Sequence, residues 1–295
     1  MVFKECSMCI LSTFQAKRLS LIIYGLTVDS NEQSESWLGQ MTMQIENVKA
    51  AITGAASGLG RYFALEFLRA GAQVAAGDIN VAELERLEAE ASNTPGKCFA
   101  RQLDVRQESS VVEFVREASG QLDGINVLVN NAGILRDGLL AQEESGWVKK
   151  LPTLQWKQVI EVNLTGPYLM AREVVSEILM RGIKESVIVN ISSVTRAGNP
   201  GQSNYSASKA GLDATTRTWA LELASHGIRV GGIAPGVINT PILKNISEDA
   251  MRSLIERIPL QRIGRPHDIW LALKFIIECD YFTGRVLEVD GGSTF

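Results

Sequence analysis

Tyr205 and Lys209 stand four residues apart in Gly201-Gln-Ser-Asn-Tyr-Ser-Ala-Ser-Lys-Ala-Gly211. On a helix that spacing puts phenol and ammonium on one face, where the cation favours the ionised phenol. A free tyrosine ionises near ~10, too high for easy proton exchange at neutral pH, so a nearby cation makes Tyr205 a candidate acid/base. Taken alone, such a pair is more often a coincidence of amphipathic spacing than a catalytic device. Its weight comes from the elements that would bring a reactant to it.

The first of these is a phosphate site. Val48-Lys-Ala-Ala-Ile-Thr53 reads as a strand, Gly54-Ala-Ala-Ser57-Gly58-Leu59-Gly60 as a glycine loop, and Arg61 to Ala70 as a helix. Strand, loop and helix in that order allow a tight turn, close backbone approach and unpaired helix N–H groups facing a pyrophosphate. A second strand, Gly71 to Asp78, ends in an acid placed to bind adenosine ribose hydroxyls and to repel a 2′-phosphate. No basic residue stands at Ser57 or directly after Asp78, so NAD is favoured over NADP, with Arg61 as the reservation.

Strands and helices then alternate: a helix over Val81 to Ala91, a strand near Cys98 to Leu103 leading into Asp104-Val105, a helix from Ser109 to Gly120, and the strand Ile125 to Asn130. Such alternation predicts an α/β fold, a parallel sheet with helices on both faces and ligands at the carboxyl ends of the strands. Asn130-Asn131-Ala132-Gly133 falls at such an end, although it also reads as an ordinary Asn/Gly turn.

The composition is that of one large globular domain, 45% hydrophobic and 21% charged over 295 residues. A net charge of −4 offers no basic footprint for nucleic acid or an anionic membrane, which points to small-molecule partners. The cysteines Cys6, Cys9, Cys98 and Cys279 suit a reducing cytoplasm. Cys6-x-x-Cys9 lacks a second pair or a neighbouring histidine, and the histidines His226 and His267 lie far from it in sequence, so no metal site is expected. Residues 1–42 contain apolar runs interrupted by Lys17-Arg18, none reaching the ~18 residues of a membrane span. They are expected to be a loosely ordered extension, with a targeting signal or a structured cap as alternatives, ahead of a single domain over residues 43–295.

Taken together, Thr53 to Gly60, Asn130-Asn-Ala-Gly133, Asn163, Ser193, Tyr205-x-x-x-Lys209 and Pro235-Gly236 resemble the classical short-chain dehydrogenases/reductases, from about Val48 to Gly292. The resemblance implies a Rossmann-like, seven-stranded parallel sheet, conversion of a secondary alcohol and a ketone with a nicotinamide cofactor, and commonly a homotetramer. It assigns Tyr205 as general acid/base and Lys209 as the cation that lowers its pKa and bonds the nicotinamide ribose. Ser193, rather than its neighbour Ser192, holds the substrate oxygen, and Asn163 anchors a water leading to Lys209. Cofactor contacts carry over to Gly54, Ser57, Gly58, Leu59, Gly60, Asp78, Asp104, Val105, Asn131, Ala132, Gly133, Tyr205, Lys209, Pro235, Gly236, Ile238 and Thr240. Ile238 and Thr240 would meet the carboxamide, and Pro241 to Arg265, helical from Ser247 to Arg257, would cover the substrate.

Asn131 to Leu140 and Gly198 to Tyr205 look like the 3-oxoacyl-carrier-protein reductases within that family, which typically use NADPH and dock an acidic carrier through basic residues. Two features set this chain apart. Leu221 stands where one of those basic residues is expected, and Gln142 to Pro152 is longer than usual, as a hairpin, a flap or a solvated excursion. A sensor that binds a dinucleotide without turnover is the rival from another class, and the intact Asn163, Ser193, Tyr205, Lys209 set argues against it.

Overall fold

The computed structural model describes residues 42–243 and 247–293. The expectations for the N-terminal extension, with Cys6 and Cys9, therefore lie outside the described residues, as do Lys244 to Ile246 of the substrate-covering segment.

The apolar run expected after Val48 forms β1 (Lys49–Thr53), with Ala50, Ala51 and Ile52 fully buried. The chain then winds outward through α1 (Gly58–Arg69), β2 (Gln73–Asp78), α2 (Val81–Ala91) and β3 (Lys97–Gln102). It crosses back through α3 (Glu108–Leu122) to β4 (Val127–Asn130), which lies beside β1. Beyond a two-stranded hairpin of β5 (Ala141–Glu144) and β6 (Trp147–Lys150) come α4 (Thr153–Ile160), α5 (Gly166–Arg181), β7 (Ser186–Ile191), α6 (Ser203–Leu223) and β8 (Ile228–Pro235). The last elements are α7 (Glu248–Glu256), α8 (Pro266–Glu278) and β9 (Val286–Val289). The main sheet has seven strands in the order β3-β2-β1-β4-β7-β8-β9, every neighbouring pair parallel. Strand order reverses between β1 and β4, which opens a crevice at their carboxyl ends where such sheets bind ligands.

Strands buried on both faces need a core on each side. One core packs Phe63, Phe67 and Leu68 of α1 against Trp270, Leu273 and Ile276 of α8, with Phe67 and Trp270 edge-to-face at 4.8 Å between centroids. The other packs Phe114 and Leu122 of α3 against Met170, Val174 and Ile178 of α5. The sheet is thus clamped from both faces, and the loops at its carboxyl edge rest on a rigid base.

Three elements are not settled by the sequence alone. The apolar stretch from Val159 to Met180 reads as one helix, yet a π-helical turn at Glu161–Thr165 separates α4 from α5. The Gln142 to Pro152 segment is an ordered hairpin whose strands are exposed on both faces. Its reversal at Ser145 and Gly146, both with positive φ (52° and 86°), is the mirror-image turn that suits the twist of a two-residue hairpin. The final strand is shorter than the Tyr281 to Gly292 stretch suggests, because backbone pairing with β8 begins only at Val286.

Candidate active site

The glycine loop is built by close approach. Gly54 has φ +65°, and a Cβ there would come 2.9 Å from Ala132 Cα. At Gly60 a Cβ would overlap the Gly54 carbonyl oxygen and stand 2.5 Å from Asn131 Nδ2. Asn131 staples this turn, its amide donating to the carbonyls of Thr53 and Gly54 at 3.0 and 3.1 Å. Thr53 Oγ1 accepts from the backbone N–H groups of Asn131 and Ala132, both at 3.0 Å. The Asn/Gly turn is therefore a brace for the loop. Ser57 precedes α1 in extended conformation, exposed, its hydroxyl making no capping bond. The first turn of α1 thus keeps donors free for an anion.

Asp78 ends β2 with its carboxylate aimed back at this loop, accepting from Ala56 N and Asn80 N at 3.0 Å each. Arg61 points elsewhere, its guanidinium paired with Glu90 of α2 at 2.5 Å. Asp104 is paired with Arg106 at 2.7 Å, which holds its carboxyl below the usual range. Val105 is buried against Gly166. At the far side of the crevice Gly236 donates to Val289 O at 3.0 Å. Ile238 is buried with its side chain against Gly264, to which its backbone is also bridged. Thr240 comes close to the glycine loop, 3.9 Å from where a Gly58 Cβ would stand.

Deeper in the crevice, α6 carries Tyr205 and Lys209 beside the end of β7. Lys209 is buried and donates to Ile191 O at 2.7 Å, with its nitrogen 5.5 Å from the centre of the Tyr205 ring. Burial pulls its pKa down to about 8, against an opposing pull from Asp213. The Tyr205 phenol is raised above its ordinary value, by burial first and by the charge of Asp137, while the nearby Ser193 hydroxyl draws it back. The expected lowering by Lys209 is not the dominant effect, because the ammonium is spent on a carbonyl and desolvation is larger. Ser193 is the serine on the Tyr205 side, its hydroxyl 2.9 Å from Thr195 Oγ1 and accepting from Thr195 N at 3.2 Å; Ser192 is turned inward, its hydroxyl 2.5 Å from Asp213 Oδ1. Asn163 sits in the π-turn, fully buried, accepting from Ile134 N at 2.8 Å and donating to Ile134 O at 3.0 Å. Gly133 lies between it and the lysine: a Cβ there would be 3.6 Å from Asn163 Oδ1 and 3.7 Å from Lys209 Nζ.

Sequence reasoning missed a chain of polar contacts behind these groups. Asp213, one helical turn beyond Lys209 and 6% exposed, accepts from Ser192 and pairs with Arg196 Nε at 2.6 Å. Arg196 also reaches Glu288 of β9 at 2.5 Å and the Ser193 carbonyl at 3.4 Å. Asp137 is a second omission, tied to Gln202 at 3.2 Å and facing Tyr205. The i+4 step from Lys209 to Asp213 was the available signal for the first; nothing local marks the second.

Comparison with known proteins fits this geometry. Residues 54–294 match the family model described as enoyl-(acyl carrier protein) reductase. The 3-oxoacyl-[acyl-carrier-protein] reductase FabG of Thermotoga maritima is 41% identical over 85% of this chain and 99% of its own length. The chain is a classical short-chain dehydrogenase/reductase. A further relative in the family, the (2S)-[(R)-hydroxy(phenyl)methyl]succinyl-CoA dehydrogenase subunit BbsD of Thauera aromatica, is 35% identical over 85% of this chain and 98% of its own. Among solved structures, a short-chain type dehydrogenase/reductase from Mycobacterium marinum superposes with a TM-score of 0.77 at 28% identity, covering 85% of this chain and 98% of that one. The chain is thus an oxidoreductase that interconverts hydroxyl and carbonyl groups with a nucleotide cofactor. Among the described residues no helix is long and apolar enough to cross a membrane.

Proposed function

We propose that this short-chain dehydrogenase/reductase reduces and oxidises a small secondary alcohol/ketone pair with NAD(H), using Tyr205, Ser193, Lys209 and Asn163. The observation that carries the reading is a half-buried Tyr205 one helical turn from a buried Lys209, whose nitrogen lies 5.5 Å from the centre of its ring, with Ser193 close to both just past the end of β7. With its pKa raised, Tyr205 stays protonated at neutral pH and serves as the proton donor to a carbonyl oxygen. Ser193 offers a second donor to the same oxygen, so negative charge building there is met by two hydroxyls. Lys209 keeps positive charge near the phenolate left behind, and Asn163 fixes the backbone at Ile134 that walls this side.

The cradle fits a dinucleotide: glycines where a side chain would collide, an uncapped Ser57 at the start of α1, and a carboxylate at the end of β2. Gly54 to Gly60 would hold the pyrophosphate, Asp78 the adenosine ribose, Asp104 and Val105 the adenine side, and Pro235 to Thr240 with Lys209 the nicotinamide end. When bound, the nicotinamide supplies or takes up the hydride.

NAD is preferred because Asp78 would face a 2′-phosphate with like charge, while the Arg61 guanidinium is already paired with Glu90. We expect at least about tenfold higher kcat/KM with NAD than with NADP, narrowed or reversed in Asp78→Ala. An NADPH-dependent 3-oxoacyl-carrier-protein reductase is the second reading, favoured by the 41% identity to the Thermotoga protein. Equal or better turnover with NADP would select it. Tyr205→Phe tests the mechanism itself: turnover at the wild-type rate would sink it, and a fall of at least about a hundredfold is expected. A cytoplasmic location is part of the proposal, supported by Cys98 and Cys279, neither of which is in a disulfide.

A further inference from the structure

A cavity of about 280 Å³ opens along the chain that joins Ser193 to Tyr205. One wall is the chain between those two residues, at Gly198 to Pro200; another is Val237, next to the Pro235-Gly236 turn. The third is α7 and its end, which present Leu254, Arg257 and the buried Ile258. Ser293 completes the lining, so four segments meet here, and two of them flank the proposed reaction centre in sequence, the chain between Ser193 and Tyr205 and the residue after Pro235-Gly236; the position suits a substrate's distal half.

The chemistry of the lining is uneven. Pro200, Val237, Leu254 and Ile258 are apolar, and Arg257 is the one charged residue in the lining. No acid lines the cavity, and among the described residues the Arg257 guanidinium makes no ion pair or side-chain hydrogen bond. An exposed planar guanidinium, unpaired among the described residues, at the edge of a mostly apolar cavity matches a carboxylate on an apolar stem, which it can grip with two parallel hydrogen bonds. The volume, at the small end of ligand pockets of ~300–1,000 Å³, suits a short chain better than a fused-ring body.

We infer that Arg257 is the specificity residue of this site, selecting hydroxy and oxo acids whose carboxylate lies across the cavity from the carbon that reacts. This rests on the hydride-transfer reading above and adds the substrate class to it. A charge-assisted bidentate contact made equally before and during reaction lowers KM and leaves kcat largely alone.

The test compares acetoacetate and levulinate with their ethyl esters, in the full-length protein with NADH and in Arg257→Met and Arg257→Lys. We expect the acids to exceed the esters by at least about tenfold in kcat/KM, carried by KM. The acid-to-ester ratio should collapse in Arg257→Met and return in part in Arg257→Lys. Calorimetric titration with hexanoate and hexanamide gives an answer that needs no turnover: wild type should bind the carboxylate about tenfold more tightly, and Arg257→Met should bind both alike. If the esters are reduced as well as the acids and the two probes bind equally, the inference is wrong while hydride transfer stands. If nothing is reduced yet hexanoate binds through Arg257, the anion site stands and the assigned reaction fails.

Discussion

At the scale of single residues, the site depends on keeping an ammonium where solvent is absent. Lys209 is buried with a pKa near 8, so it loses its charge as pH rises through about 8, earlier than an exposed lysine does. In the proposed mechanism reduction uses protonated Tyr205 and charged Lys209, so its kcat/KM should hold from about pH 6 to 7.5 and fall above about 8. Stability runs the other way. Between about 8 and the ordinary lysine value the unfolded chain binds the extra proton, so the Lys209 contribution to stability improves as pH rises through that window. The gap in unfolding free energy between Lys209→Met and wild type should shift in favour of wild type over that window, measured by urea midpoints at each pH. Asp213 opposes the loss of charge from one turn away while pairing with Arg196. In Asp213→Asn we expect the alkaline fall in reduction to begin at lower pH. Stability should drop by about 2–3 kcal/mol, less than the ~3–5 of a fully severed buried pair, because Arg196 keeps Glu288. An alkaline limb unmoved in that variant would show that Asp213 only packs.

At the scale of elements, the glycine loop is a place where side chains are excluded by backbone rather than by other side chains. A methyl at Gly60 collides with a carbonyl that Asn131 also holds, so neither can step aside cheaply. Gly60→Ala should weaken nucleotide binding by at least about tenfold in a fluorescence titration and lower Tm by several degrees. Unchanged affinity would mean that the loop does not sit where the cofactor's phosphates do. This loop, the Tyr205 to Lys209 step and the parallel sheet were legible because each has a local signature: glycine spacing, an i+4 pair, a strict alternation of strand and helix. The bonds from Arg196 to Asp213 and Glu288 were not, since they join segments 17 and 92 residues apart. Nor was the sign of the Tyr205 shift, which burial decides and spacing cannot report. The hairpin from Ala141 to Lys150 was ambiguous for a different reason: its Glu and Lys residues carry no hydrophobic alternation, and the Ser145-Gly146 turn alone has the matching chemistry. The π-turn at Glu161–Thr165 left no trace in an apolar pattern that continues through it.

At the scale of the molecule, the outer faces of α5 and α6 expose several small and large apolar residues. On α6, Ala207, Ala210, Ala214, Thr218 and Leu221 form an exposed stripe at helical spacing, with the exposed Arg217 as its one charge, and Leu221 is 84% exposed. On α5, Tyr168, Leu179 and Met180 are exposed at 48%, 47% and 72%. Small residues along one helix let a second helix approach closely, and a large apolar residue at its end gives the contact something to bury. We propose that these helices pair with those of another copy, in a homotetramer. Such an interface belongs to the ~2,000–5,000 Å² class, whose loss exposes apolar surface that a lone protomer tolerates poorly. Sedimentation at micromolar concentration should give a species near four times the 32.2 kDa of one chain. Ala214→Arg places a long cation in the middle of the stripe without touching the buried face of α6, where Leu212, Asp213 and Thr216 lie. That variant should sediment as a dimer or monomer with an unchanged far-ultraviolet spectrum and a lower Tm. If wild type runs as a monomer, or if Ala214→Arg remains a tetramer, the stripe is not where copies meet.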